Sequence, residues 1–508
     1  MKHIYLNIDS DSANAPYVTK ILNQKFPLCE ESLYPFVDIY KRTNVTDILF
    51  NIFCQISLTP SKYITDASLF AQFNDRNHME SSSVKRIRYF NDVYTKYNID
   101  VFDVWIKRCR ENGQNPWLSF RMSDTHNILI YYGKDIDCYP KKAWENGWMV
   151  GEEYGWFKYC LDYSVPEVRE TILKYIEEQL LRYDVYGIEL DFMREIIVFK
   201  YLTADMKKCT EILTDFMREV KEITKRAEKV HGHEIKILVR TMRDIVQANS
   251  FGHDLKTWAR EGLVDIINPT SRWAGTDSGI PVKEWQKLCP DVEIVPGLEV
   301  GLNYNPEKEG LTQVSAEIAR GLCASFLSQG ADGVYFYNYF VNPEEEPCDV
   351  YDLAEYISIL MACSNLDEIY REYSLRFPII PQGKEGYISP TPLWQPLPAT
   401  LSENEEKCFE ITTGKLPEGK RVWLVIGADK GAEEFSVTLN DEVCTEWSDI
   451  DLKFIPGIGS QFTAYGTDEA ICKRCYVPAD KLTDLVQNIK IKSNADEVKI
   501  EWIELYVY

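Results

Sequence analysis

From about residue 45 to residue 365, a short β-branched or aromatic run is followed repeatedly by a stretch with helical spacing, and this alternation limits the fold more than any other feature. The runs are Asp47–Phe53, Trp117–Met122, Phe157–Tyr163, Tyr186–Phe192, Ile235–Thr241, Val264–Asn268, Glu293–Glu299 and Gly333–Tyr339. Between them, Pro166–Arg182 begins with proline where a helix tolerates it and places Val168, Ile172, Ile176 and Leu180 on one face. Met206–Val230 and Gln313–Gln329 are similarly amphipathic, and Gly330 ends the second. Eight strands alternating with helices predict an α/β fold, a (β/α)8 TIM barrel. A doubly wound sheet would carry a glycine fingerprint after its first strand, and the sequence has none.

The barrel is expected over residues 45–375. Residues 1–44 form an N-terminal extension, from which a strand could join either domain. Residues 376–400 carry Pro378, Pro381, Pro390, Pro392, Pro396 and Pro398, the composition of an extended connector. Past it, in residues 401–508, long helical patterns vanish. The stretch from Val498 alternates apolar and mostly polar residues, as in a half-exposed strand, which predicts a small C-terminal β-sandwich.

Lys+Arg 56 against Asp+Glu 79 leaves a formal net charge of −23. Such a surface repels nucleic acid and anionic membranes, so neither is an expected partner. No uncharged apolar run reaches the length of a membrane span. The apolar stretch before Asp9 is too short for a secretory leader, and the expected compartment is the cytoplasm. The 14 cysteines lack framework spacing, and Cys472-Lys473-Arg474-Cys475 is a lone CxxC without a second pair. Neither a metal nor a cofactor is expected. P-loop, GxSxG and HExxH motifs are absent from the sequence, which lowers kinases, serine hydrolases and zinc peptidases.

In a barrel of this kind the chemistry lies at the carboxyl ends of the strands. The fourth predicted strand, Tyr186-Gly187-Ile188-Glu189-Leu190-Asp191-Phe192, places two carboxylates on one face, because strand side chains alternate with period two. Acids buried on such a face need partners or a task. Asp191 stands at the mouth, with Glu189 one layer deeper. Glu299 closes the seventh strand, Val295-Pro296-Gly297-Leu298-Glu299. Facing carboxylates at a barrel mouth are what glycosidic bond cleavage requires, one to protonate the leaving oxygen and one to attack or to activate water. An interior salt bridge to an arginine of a neighbouring strand is the structural alternative. Arg121, Asp124 and His126 end the second predicted strand, Arg240 and Arg243 the fifth, Trp273 follows the sixth, and Tyr337 and Asn338 lie in the eighth. These residues suit the binding of a hydroxyl-rich ligand. The arginines would serve equally to hold acids ionised or to bind an anionic group. The segment Asn127–Trp156 is rich in rings and long enough to act as a lid or binding loop.

The fourth-strand segment is similar to the Asp-Gly-Ile-Asp-Leu-Asp-Trp-Glu signature of family 18 chitinases. Tyr186 replaces its first Asp, Glu189 its second, and Met193 its terminal Glu, the proton donor there. More closely, Leu161-Asp162-Tyr163-Ser164-Val165-Pro166-Glu167-Val168-Arg169 together with Gly187–Arg194 resembles family-10-like glycosyl hydrolase barrels that carry a C-terminal β-sandwich. That resemblance implies a carbohydrate substrate. The expected activity is glycoside hydrolysis through Asp191 and Glu299, supported by Glu189. The alternatives are a non-catalytic carbohydrate-binding barrel and a lyase or isomerase acting on uronates, with Arg240 and Arg243 on the carboxylate.

Overall fold

The computed structural model describes residues 2–10, 28–64, 82–125, 138–272, 275–299, 301–304, 311–337, 339, 353–382, 390–450 and 471–508. Among them, a nine-stranded parallel sheet is formed by β1 (His3–Ile8), β2 (Asp47–Phe53), β3 (Asn115–Arg121), β4 (Gly187–Asp191), β5 (Lys236–Met242), β6 (Ile266–Thr270), β7 (Glu293–Ile294), β8 (Gly297–Glu299) and, past an antiparallel ribbon of β9 (Gly301–Tyr304) and β10 (Leu311–Gln313), β11 (Gly333–Tyr337). The order across the sheet is β7-β6-β5-β4-β3-β2-β1-β11-β8. Its two ends, β7 and β8, are separated in the chain only by Val295 and Pro296. The Val295 N–H donates to Ile267 on the β6 side, and the Pro296 carbonyl accepts from Tyr335 on the β11 side. The sheet therefore curls back on itself, with proline, which has no N–H to donate, interrupting the last ladder.

Two sequence expectations change here. The run Phe157–Tyr163 is not a strand: Glu152–Tyr159 is a 3-10 helix that turns at Gly155, whose φ is +57°. Instead His3–Ile8, within the extension left open above, pairs with β2 on one side and β11 on the other. With the strand interrupted at Pro296 taken as one, the number of staves stays the same, because the run at Phe157–Tyr163 drops out and a strand from the N-terminal extension comes in.

Helices follow their predicted patterns closely. Pro166–Arg182 is helical throughout. Met206–His231 starts at Asp205, whose carboxylate accepts the N–H groups of Lys207 and Lys208, and stops at Gly232 in the left-handed region. It packs on Pro166–Arg182 and buries residues such as Leu213, Phe216 and Val220. The helix predicted at Gln313–Gln329 forms over Ala316–Ser328, capped by the Ser315 hydroxyl.

Alternation along the strands sorts the side chains into two sets. Ile4, Leu6, Ile48, Phe50, Leu118, Phe120, Ile188 and Leu190 point outward into the main core beneath the helices. Tyr5, Leu49, Trp117, Leu238, Ile266, Val295, Tyr335 and Tyr337 form a separate inner cluster. At the amino end the interior is apolar and tightly filled. A Cβ on Gly187 would stand 2.2 Å from Trp117 Cζ3. Gly187→Ala is accordingly expected to lower unfolding free energy by about 1–3 kcal/mol through overpacking, measured by denaturant titration. Toward the carboxyl ends the interior turns polar, with Asn7, Ser119, Glu189 and Arg240 buried there.

The C-terminal region forms two antiparallel sheets. One contains β12 (Leu375–Pro378), β13 (Ala399–Ser402), β15 (Arg421–Ala428), β18 (Trp447–Asp449), β19 (Ile471–Pro478) and β21 (Glu497–Val507). The other contains β14 (Glu406–Thr412), β16 (Phe435–Leu439), β17 (Glu442–Val443) and β20 (Val486–Ser493). Both ends of the proline-rich stretch pair with β21, as β12 and β13. Pro378 sits in β12 at the sheet's edge, where a missing N–H is tolerated. The CxxC lies within β19, and every described cysteine is a free thiol. No described helix is long and apolar enough to cross a membrane.

Candidate active site

At the carboxyl end of the parallel sheet, Asp191 ends β4 and Glu299 ends β8, and the guanidinium of Arg240 from β5 lies between them. Arg240 Nη1 donates to Asp191 Oδ1 at 3.0 Å, and Nη2 donates to Glu299 Oε1 at 2.6 Å. The two carboxylates lie within one guanidinium's span of each other, at the same rim. All three side chains are fully buried. Asp191 Oδ1 also accepts the backbone N–H groups of Met193 and Arg194, at 2.7 and 3.0 Å, which turns the chain sharply after β4. The Arg240 guanidinium stacks 3.6 Å from the centroid of the Tyr337 ring. Burial opposes its charge, but Asp191 and Glu299 outweigh that and hold it cationic.

Glu299 differs from Asp191 in its second oxygen. Oε2 has no hydrogen-bond partner among the described residues. Burial pushes the Glu299 carboxyl up to about 7, against the opposing pull of Arg240 and Arg194. One layer deeper, Glu189 accepts from Asn7 Nδ2 at 2.7 Å and from the Tyr335 hydroxyl. Burial first, and then the charge of Asp191, raise its carboxyl to about 7 as well. These inner contacts follow from period-two alternation: Asn7, Glu189 and Tyr335 all face inward.

The remaining predicted residues divide into three groups. Arg121 belongs to the same rim, in ion pairs with Asp9 at 3.1 Å and Asp124 at 3.5 Å. Tyr337 is there too, its hydroxyl without a hydrogen-bond partner among the described residues. Arg243 is directed elsewhere: it binds Asp277 at 2.6 Å and the Gly279 carbonyl, and lies over the Trp394 ring. Those contacts clamp the 277–279 segment rather than facing the carboxylate pair. His126, Trp273 and Asn338 lie outside the described residues, as does part of the ring-rich segment. Within the rest of that segment, Tyr139 and Tyr154 pack into the core, while Trp156 is half-exposed and donates to Glu195 at 3.0 Å.

Several rim residues escaped the sequence reading. Asn7 and Asp9 were missed because β1 was not recognised, although His3, Tyr5, Asn7 and Asp9 carry the same alternation used for Glu189 and Asp191. Arg194, buried beyond β4, acts electrostatically on both Glu299 and Tyr337. Arg272 and Glu195 form a buried pair at 2.6 Å, across 77 residues of sequence, and no local pattern could have paired them. Among the described residues no cluster of three or more His, Cys, Asp or Glu side chains is arranged to hold a metal.

No protein-family model and no curated protein matches the chain. Among solved structures it is similar to glycoside hydrolases. One is the α-L-fucosidase isoenzyme 2 from Paenibacillus thiaminolyticus, at 14% identity and TM-score 0.43, over 74% of this chain and 51% of that one. The chain thus spans about half the length of that enzyme. Another is a glycoside hydrolase family 18 N-acetylglucosaminidase from Paenibacillus barengoltzii, at 11% identity and TM-score 0.37, over 72% and 100% of the two chains. A third is the α-fucosidase of Thermotoga maritima, at 10% identity and TM-score 0.36, over 96% and 94%. Likenesses this distant carry nothing about chemistry, which the side chains themselves must supply.

Proposed function

We propose that the chain is a glycoside hydrolase, built as a closed (β/α)8 barrel with a C-terminal β-sandwich. In this reading Glu299 is the proton donor and Asp191 the carboxylate that attacks the anomeric carbon or activates water. The observation that supports it is the pairing of Asp191 and Glu299 at one rim, with Glu299 Oε2 bare and its proton retained to about neutral pH. A donor must be protonated at the working pH and have an oxygen free for the leaving group, and Glu299 meets both conditions. Asp191, fixed by two backbone N–H groups and Arg240, is oriented without help from substrate. Glu189 supports the pair from below. Arg121, Asp124 and Tyr337, with His126, Trp273 and Asn338, are the proposed contacts for the carbohydrate. The proposed compartment is the cytoplasm.

The pH dependence tests the assignment. A raised donor pKa predicts that kcat/KM is high on the acid side and falls about tenfold per unit above pH about 7, as Glu299 loses its proton. A flat profile across that range on a chromogenic aryl glycoside would remove Glu299 from the donor role.

One observation favours a second reading, a non-catalytic carbohydrate-binding barrel. Arg240 contacts both carboxylates, an arrangement that also serves architecture alone. Binding of sugars without release from any chromogenic glycoside between acid and alkaline pH would select this alternative. The uronate-acting reading loses support because Arg240 and Arg243 both have carboxylate partners of their own.

A further inference from the structure

We infer that the site takes an uncharged, hydroxyl-bearing sugar and rejects acidic ones, an inference that rests on the hydrolase reading above. The sequence left this open, because arginines near a barrel mouth can either bind an anionic substrate or neutralise the protein's own acids. Here four described arginines at or beside the rim each have a carboxylate partner. Arg121 pairs with Asp9 and Asp124, Arg240 with Asp191 and Glu299, Arg243 with Asp277, and Arg272 with Glu195. Each of these guanidinium side chains is 7% exposed or less. An incoming carboxylate or sulfate could capture one of them only by stranding its present partner as a buried, uncompensated charge, which is strongly unfavourable.

Beside these pairs, the rim carries buried polar atoms with hydrogen bonds still to make. Glu299 Oε2, Tyr337 Oη, Thr270 Oγ1 and Arg240 Nε are buried and have no hydrogen-bond partner among the described residues. The set mixes a carboxyl oxygen that donates when protonated and accepts when ionised, a guanidinium donor and two hydroxyls that can do either. A sugar hydroxyl both donates and accepts, so a polyol can satisfy all of them. A carboxylate only accepts, and it would meet Glu299 as a like charge whenever that group is ionised. These four atoms therefore match a neutral polyol, while the four guanidinium charges named above are already matched by the protein's own carboxylates.

The test uses the wild-type full chain and matched pairs of 4-nitrophenyl glycosides: a neutral hexoside, and the same hexoside carrying a C6 carboxylate or a 6-sulfate. Neutral members are expected to be turned over with kcat/KM about 100-fold or more above their acidic counterparts. Their KM should not change as salt is raised to about 0.5 M. Equal or faster release from the acidic members would overturn the inference and leave the hydrolase reading standing. Calorimetric binding of neutral sugars without release from any substrate would do the reverse, keeping the ligand class and removing the hydrolase. Neither binding nor release with any pair would remove both.

Discussion

Arg240→Met should lower the unfolding free energy by about 3–5 kcal/mol, because it leaves Asp191 and Glu299 buried without their shared counter-ion. The loss should be larger at pH 8 than at pH 5, where Glu299 is protonated and less charge is stranded. Chemical denaturation at both values measures it, and a loss below about 1 kcal/mol at pH 8 would mean that the triad is not a structural unit. The same geometry changes the expectation for Asp191→Asn. From sequence alone, that variant should lose turnover and keep its melting point. In the structure Asp191 is half of Arg240's compensation and the acceptor of two backbone N–H groups, so the melting point is expected to fall as well.

Glu299→Gln separates chemistry from architecture more cleanly. Glutamine matches the protonated carboxyl in shape and keeps an acceptor for Arg240 Nη2, but it has no proton to give. If Glu299 is the donor, kcat should fall by about 10²–10⁴-fold on a substrate with a poor leaving group. Stability should move the other way with pH. The folded-state pKa of Glu299, about 7, lies above the ordinary value near 4.3. Its stabilising contribution is therefore fully present below about pH 4.3 and is lost as pH rises through about 7. Relative to the wild type, the glutamine variant should gain stability between pH 5 and pH 8. Wild-type kcat in a variant that shows this stability shift would confine Glu299 to architecture.

Local patterns carried much of the fold. The helix Pro166–Arg182 was read to the residue, since its start at proline and its apolar face are both local properties. The inward pairing of Glu189 and Asp191 was equally legible, because alternation in a strand is a matter of backbone geometry. The misreading at Phe157–Tyr163 has a physical cause. An apolar, aromatic run reads alike whether it pairs with a neighbour or turns as a 3-10 helix, and the positive φ at Gly155 that decides the matter is not visible in composition. For β1 the alternation is present in the sequence, but which domain it joins is decided by the two neighbours that hydrogen-bond it.

At the rim, the sequence by itself determined that Asp191 and Glu299 would end strands of one sheet, that Glu189 would share the face of Asp191, and that arginines would stand near. Only the tertiary structure decided which charges meet. Arg240 follows Asp191 by 49 residues and precedes Glu299 by 59, and it was free on paper to bind a substrate. Closing the sheet placed it between two buried acids, and Coulomb attraction at low dielectric made the three a unit. Arg243, three residues further on, left the rim for Asp277 because it falls beyond the last ladder residue of β5. Periodicity is set within a strand, whereas the partner of a buried charge is set by which strands the fold brings side by side.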